Sequence, residues 1–271
     1  MSRLPEITKN IKDEFNASDI KQGKDIIYYK VNFKERTLNE NYMHIDGVTF
    51  YECLFTKETI KSVTFSKCRF IKCLFNGVKI IDCEFQRCFF SECSFFKAKI
   101  SGTYIDPESF SFSSIWHKEW SNINASWYQE LYKNSKNLHQ EKFAMNADKR
   151  FQFYQRYNFL FGKNRSLKKI FGGLTYDIVL GYGYGILNTL TFTIAFVSLF
   201  AFLIEPHVDL GKDSRIVESL YFSIVSFSTV GYGEITPYRT TLALVITTSF
   251  LFLSVIWGAI VTAVIVKRLV K

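Results

Sequence analysis

The sequence predicts a multidomain membrane protein: a repetitive N-terminal half, a helical linker, and a helical C-terminal half that crosses a bilayer twice. Three observations predict this. All six cysteines share one five-residue register, two long C-terminal runs carry no charge, and the basic excess is packed just before the first of those runs. At 271 residues, with 48 % hydrophobic and 17 % aromatic side chains, the chain has the length for two domains and the apolar content for both a core and a membrane part.

The repeat comes first. Cys53, Cys68, Cys73, Cys83, Cys88 and Cys93 are separated by multiples of five, and each lies two residues before a phenylalanine. The same register runs as Ile45, Phe50, Phe55, Ile60, Phe65 and onward through Ile105, Phe110 and Ile115 to Trp120. A period of five fits neither the helix nor the strand, so it marks an internal repeat. Ile60, Ile80 and Ile100 close "TKETI", "NGVKI" and "FKAKI" and interrupt triplets of phenylalanine, which points to a coil of twenty residues.

This pattern resembles the pentapeptide-repeat family. The resemblance implies a right-handed quadrilateral β-helix over residues 43–120, with the large residue of each pentapeptide and the small one two places earlier both pointing inward, after an N-terminal segment or cap at 1–42. The cysteines then read as small apolar core filler. Metal ligation would need thiolates converging on a tetrahedron, and disulfides are disfavoured in a reducing cytoplasm. Glu58, Glu108 and Lys118 stand at inward small positions, so coils there are expected to distort or end, and the rod to stop before Trp120.

Charge locates the linker. Residues 1–120 carry 18 basic and 16 acidic side chains, 121–170 carry 10 and 3, and 171–271 carry 6 and 6. A basic block next to an apolar run suggests an anionic membrane surface and no nucleic-acid partner. "MSRLPEITKNIKDEF" has no apolar core, so no signal peptide is expected and the first half should be cytoplasmic. Within 121–170, Phe143, Ala147, Phe151 and Tyr154 form a stripe at helical spacing, read as one amphipathic connector. "GKNRSLKKIFGG" then brings Lys163, Arg165, Lys168 and Lys169 to the cytoplasmic flank.

Residues 178–204 and 240–266 are uncharged and long enough to span a bilayer. Lys267, Arg268 and Lys271 follow the second, so both termini are expected on the cytoplasmic side of a plasma or inner cell membrane. Between them lies "SRIVESLYFSIVSFS", a short helix at about 214–228 with Asp213 or Ser214 as its N-cap, too short to cross. The chain must therefore dip in and return through non-helical backbone at 229–233, "TVGYG". A second Gly-Tyr-Gly at 181–183 lacks the preceding Thr-Val and serves as an internal control.

A span, an outer loop, a re-entrant helix, "STVGYGEITP" and a second span resemble the two-span pore domain of potassium channels, here over residues 171–271. The resemblance implies that Thr229, Val230, Gly231, Tyr232 and Gly233 form a selectivity filter, with carbonyls of the first four and the Thr229 hydroxyl binding potassium. It also implies that Tyr221 and Phe222 brace the filter from behind, that Glu234 stands at the outer mouth, and that four copies surround one axis. Phe222 has no hydrogen-bond donor, Leu253 stands where many relatives have a hinge glycine, and Gly258 is left as the candidate gate.

The expected function is a homotetrameric potassium-selective channel with a cytoplasmic regulatory or interaction module, which could take an unidentified ligand or protein. A poorly selective cation channel and a membrane-anchored pentapeptide-repeat scaffold are the alternatives. DNA mimicry would need an acidic rod, but residues 43–120 hold 10 basic and 9 acidic side chains. His44, His117, His139 and His207 are scattered, and no nucleophile has a partner nearby in sequence, so neither an enzyme nor an organic cofactor is expected.

Overall fold

The computed structural model describes residues 12–15, 26–33, 43–56, 59–162, 167–211 and 214–269. Glu58, Lys163, Arg165, Asp213 and Lys271 lie outside them. The chain divides into two compact units, Met1–Gly173 and Leu174–Lys271.

The first unit is a parallel β-helix closed at one end by helices. Its strands stack at twenty-residue intervals into flat faces. The first face consists of β4 (Met43–Asp46), β7 (Val63–Ser66), β10 (Glu84–Gln86) and β13 (Tyr104–Ile105). The second consists of β2 (Ile27–Tyr29), β5 (Thr49–Tyr51), β8 (Arg69–Ile71), β11 (Phe89–Ser91) and β14 (Phe110–Ser111). Isolated bridges join Asn32 of β3 (Val31–Phe33, which also pairs with β1, Lys12–Phe15), Leu54, Leu74 and Ser94 into the third, and β6 (Thr59–Lys61), β9 (Lys79–Ile81) and β12 (Lys99–Ser101) form the fourth. Ile60, Ile80 and Ile100 are in register on that fourth face.

Each corner requires a left-handed residue. The residue two places after each inward central one has positive φ: Lys30, Glu52, Ser62, Lys67, Lys72, Asp82, Arg87, Glu92 and Lys97 without glycine, and Gly47, Gly77 and Gly102 with it. A non-glycine residue pays about 1–2 kcal/mol for that conformation, so the stacked core must offset it many times over. It does so with aromatic columns. Phe33, Phe55, Phe75 and Phe95 lie face to face at 4.6, 4.7 and 4.8 Å between centroids. Phe50, Phe70, Phe90 and Phe110 stack at 5.0, 4.8 and 4.7 Å.

All six cysteines are buried free thiols. Each donates Sγ–H to the central carbonyl of the coil before, as Cys73 does to Phe50 at 3.3 Å and Cys93 to Phe70 at 3.3 Å. They are core filler, each thiol proton shared weakly with the carbonyl two residues before it as well. Burial pushes the Cys83 thiol up to about 11.

The N-terminal end of the β-helix differs from expectation, and the C-terminal end distorts at Glu108 and stops before Trp120 as expected. Coiling begins before residue 43: Tyr28 and Phe33 are buried and stack beneath Phe50 and Phe55. Their spacing is also five, but they lie 22 residues before their partners, so a two-residue offset conceals them from the register that starts at Ile45. At the other end the coil stops at β14. The corner after Ile105 is Pro107, whose ring fixes φ near −65° and forbids the left-handed turn. A 3-10 helix, Pro107–Ser109, takes its place and turns Glu108 outward. Ile115 and Trp120 keep the period of five without belonging to the coil: Ile115 is exposed on α1 (Ser114–Glu119), and Trp120 follows it as the C-cap.

The linker is two helices, not one. α2 (Ser121–Asn137) and α3 (Glu141–Phe161) are joined at His139, which has a φ of 55°. The amides of His139 and Gln140 donate back to Lys136 and Ser135, the paired bonds of a Schellman stop. α2 closes the β-helix: Trp127 stacks on Phe95 at 4.2 Å and is 1 % exposed. Of the expected stripe, Ala147 and Tyr154 are buried, and Tyr128 stacks on Tyr154 at 5.5 Å. The open end of an apolar coil is thus covered by the segment expected to connect.

The second unit holds two helices long and apolar enough to span a membrane, Ile186–His207 and Thr241–Arg268. The uncharged run beginning at 178 is cut by the turn at Gly181–Gly183, between α4 (Leu167–Leu180) and α5 (Ile186–Ile204). α6 (Arg215–Phe227) lies between the spans, and α7 (Thr241–Leu269) ends the described chain. Phe200 on α5 stacks on Phe250 of α7 at 3.6 Å, with Phe222 of α6 beside it at 6.2 Å. Trp257 Nε1 donates to Thr193 Oγ1 at 2.8 Å, tying α7 to α5.

Candidate functional site

The site is built from the end of α6 and the backbone after it. Ser214 is the N-cap residue of α6; the Glu218 carboxylate accepts from the Ser214 hydroxyl at 2.9 Å and from the Gly211 amide at 2.6 Å. Arg215 pairs with Glu205, and the Tyr238 amide donates to the His207 carbonyl at 2.9 Å. These contacts fix where α6 starts and where the returning chain leaves.

At its other end α6 stops in a second Schellman motif. The Thr229 amide donates to Ser226 at 3.2 Å and the Val230 amide to Val225 at 3.1 Å, with Thr229 as the left-handed residue at a φ of 57°. Glycine is usual there. The helix stop and the first residue of "TVGYG" are therefore one residue.

From Thr229 the sign of φ alternates. It is positive at Thr229 (57°), Gly231 (58°) and Gly233 (88°), and not at Val230 or Tyr232. Alternating handedness is the backbone habit that sets successive amides to one side and successive carbonyls to the other. The control tripeptide behaves differently: Gly181, Tyr182 and Gly183 have φ of 50°, 58° and 76°, a turn of one hand only. The same three letters adopt two conformations at 181–183 and 231–233, where the residues on both sides differ.

Val230 and Tyr232 are 53 % and 72 % exposed. Behind this strand, a cavity of about 100 Å³ is lined by Tyr221, Phe222, Val225 and Ser226 of α6 together with Gly231, Gly233, Glu234 and Ile235. The expected supports thus meet the strand, with Val225, Ser226 and Ile235 added, for which the sequence carried no distinct signal. Tyr221 and Glu234 both line this cavity, so a hydroxyl donor stands in this region although Phe222 has none. Phe222 is buried in the aromatic cluster between the spans.

Gly258 lies apart, on α7. A Cβ there would meet nothing within 4 Å, so close packing inside this chain does not require glycine. Its carbonyl accepts from the Thr262 hydroxyl at 2.9 Å.

The C-terminal end of α6, where the helix dipole adds partial negative charge, meets this backbone at Thr229. The Thr229 hydroxyl gives its proton to the Ser228 carbonyl at 2.7 Å, leaving its lone pairs free to accept a positive ligand.

No curated protein matches the chain. Solved structures that show similarity include two trypsin-treated variants of QnrB1, a plasmid-mediated fluoroquinolone resistance protein. One is 12 % identical, covers 29 % of this chain and 52 % of that one, and has a TM-score of 0.17. The other is 14 % identical, covers 34 % and 73 %, and has a TM-score of 0.15. This chain spans about half the length of the first. Residues 184–271 match the family model described as "Ion channel". The C-terminal part of the chain, from residue 184, is an ion-channel domain of that family.

Proposed function

We propose that the protein is a potassium-selective channel of four identical chains, conducting passively across a cell membrane. The observation that carries this reading is the alternation of φ at Thr229, Gly231 and Gly233. A dehydrated cation needs carbonyls converging on one axis. One chain supplies a single row, and non-helical backbone at membrane depth is tolerated only inside protein or around a watery path. Four rows, with Val230 and Tyr232 packed against neighbouring material, satisfy both requirements. The carbonyls of Thr229, Val230, Gly231 and Tyr232 and the Thr229 hydroxyl are the ion sites. Glu234, which lines the same cavity as Tyr221, marks the outer mouth.

In this reading both termini lie in the cytoplasm, and the β-helix is a regulatory or interaction module. Lys168 and Lys169, exposed on α4, meet anionic lipid at about 1 kcal/mol per charge. Gly258 is the candidate hinge of the inner gate. Flux into vesicles containing the purified protein, with potassium against sodium and particle mass measured in parallel, tests the proposal. Equal entry of the two ions through a four-chain particle would leave a poorly selective channel, and no entry would leave a membrane-anchored scaffold.

A further inference from the structure

Two adjacent faces of the β-helix carry opposite charge. The first face presents Asp46 and Glu84 outward, with Asp106 at its lower end, and the flat of that face holds no lysine or arginine. The second face presents Arg69, flanked at the shared corner by Lys67 and Arg87, and its flat holds no carboxylate. Lys67, Arg69, Arg87, Ile71, Phe89 and Ser91 line a shallow open groove there of about 520 Å³. Lys67 approaches Asp46 across the corner at 3.9 Å, whereas Arg69 and Arg87 have no ion pair among the described residues.

The second face is also apolar for a solvent-facing sheet. Ile27 is 65 % exposed, Tyr29 54 % and Phe89 44 %, and Tyr29 stacks on Tyr51 at 5.5 Å. Arginine beside exposed aromatic rings is the composition of a protein–protein contact.

We propose that the second face of one copy docks against the first face of the next, so that four soluble units close into a ring. The geometry of the coil sets the number. In a coil with four faces, each face is turned a quarter circle from the one before. Mating a face of one copy to the neighbouring face of the next rotates each copy by that same quarter turn about the coil axis. A head-to-tail contact of this kind closes after four copies. The charges match across it: Arg69 and Arg87 of one copy face Asp46 and Glu84 of the next.

The contact is small. Four or five stacked strands of three residues make a face of roughly 20 by 10 Å, well short of the ~800 Å² per partner of a stable interface. It therefore forms between copies already tethered, where the effective concentration reaches about millimolar. The count of four rests on the channel reading above.

The test uses the full chain in detergent or vesicles. Thr64→Cys on the first face and Ser91→Cys on the second, in one chain, are treated with a short bis-maleimide; the native thiols, being buried, serve as the unreactive background. A ladder of two, three and four linked chains is expected from the double variant, with neither single variant linking. Adding Arg69→Glu and Arg87→Glu should cut linking at least about tenfold, and Asp46→Lys with Glu84→Lys should restore it. No linking in a particle of four-chain mass overturns the proposal, as does linking by either single variant, which signals a two-fold contact. A particle of some other mass removes the channel reading, and the ring with it, and is seen separately by light scattering.

Discussion

Two glycines with the same backbone hand and different surroundings separate conformational strain from ion coordination. Gly181 has a φ of 50° and Gly231 a φ of 58°. A Cβ at Gly231 would meet nothing within 4 Å, and at Gly181 the nearest atom would be Asn188 Cγ at 3.7 Å. Neither Gly181→Ala nor Gly231→Ala therefore creates a clash within the chain, and each carries about 1–2 kcal/mol of left-handed strain. At Gly181 that strain acts on a turn and should lower stability alone. At Gly231 it is relieved by rotating the residue back to negative φ, which breaks the alternation and turns a carbonyl away from the axis. Over four copies the penalty reaches about 4–8 kcal/mol, enough to depopulate the conducting arrangement. Potassium and sodium flux into vesicles, with tetramer content checked for both variants, is the assay. Gly181→Ala should keep the ion preference of the unmodified channel, and Gly231→Ala should bring it near unity. Equal loss in the two, or full preference retained in Gly231→Ala, would refute the argument from handedness.

Trp127→Ala uncovers the end of the β-helix and should cost about 3–5 kcal/mol in denaturant unfolding followed by circular dichroism; a cost below about 1 kcal/mol would mean that α2 is not the lid. Cys83 should make the first unit alkali-sensitive. Its thiol stays protonated to about 11 when folded but titrates near 8.5 when unfolded, so stability is intact below pH 8.5 and falls by about 1.4 kcal/mol per pH unit up to pH 11. Cys83→Ala should flatten that slope by one proton in unfolding midpoints measured across this range. Removing residues 1–173, the whole first unit, should change how often the channel opens but not which ion it prefers, as read by single-channel recording; altered preference at unchanged open probability would show the division of labour to be wrong.

Much of the first unit was legible because its core is periodic. One register gave the inward residues, and the isoleucine interruptions gave the coil length. Its ends depend on single residues that a period does not weigh. Pro107 removes the left-handed corner through its ring one strand before the coil stops at β14, while Ile115 keeps the count of five on an exposed helix. Tyr28 and Phe33 belong to the core but sit two places out of phase. The hairpin after residue 120 was hidden for another reason: His139, with neither proline nor glycine beside it, makes the break. In the second unit apolar composition located the spans but placed the first start too early, since the turn at Gly181–Gly183 is as uncharged as the helix that follows. The motif located the strand after α6. Its handedness was not legible, because Gly-Tyr-Gly occurs at 181–183, 183–185 and 231–233 in more than one conformation.

Thr229 is where the demands of stability and conduction part. As the left-handed residue of a Schellman stop it occupies a position that glycine fills without strain, and threonine is β-branched and stiff. Such a residue persists where its surroundings over-determine it. Here two amides gripped by α6, at 3.2 and 3.1 Å, hold it in place from the helix side. A glycine would relax the backbone and end α6 equally well. It would also remove the one side-chain oxygen of the proposed ion row and the hydroxyl bond to Ser228 that orients it. The strain of about 1–2 kcal/mol is thus offset only if that hydroxyl is used, and the use consistent with a helix C-terminus, a carbonyl row and an exposed oxygen is to take the place of water around a cation.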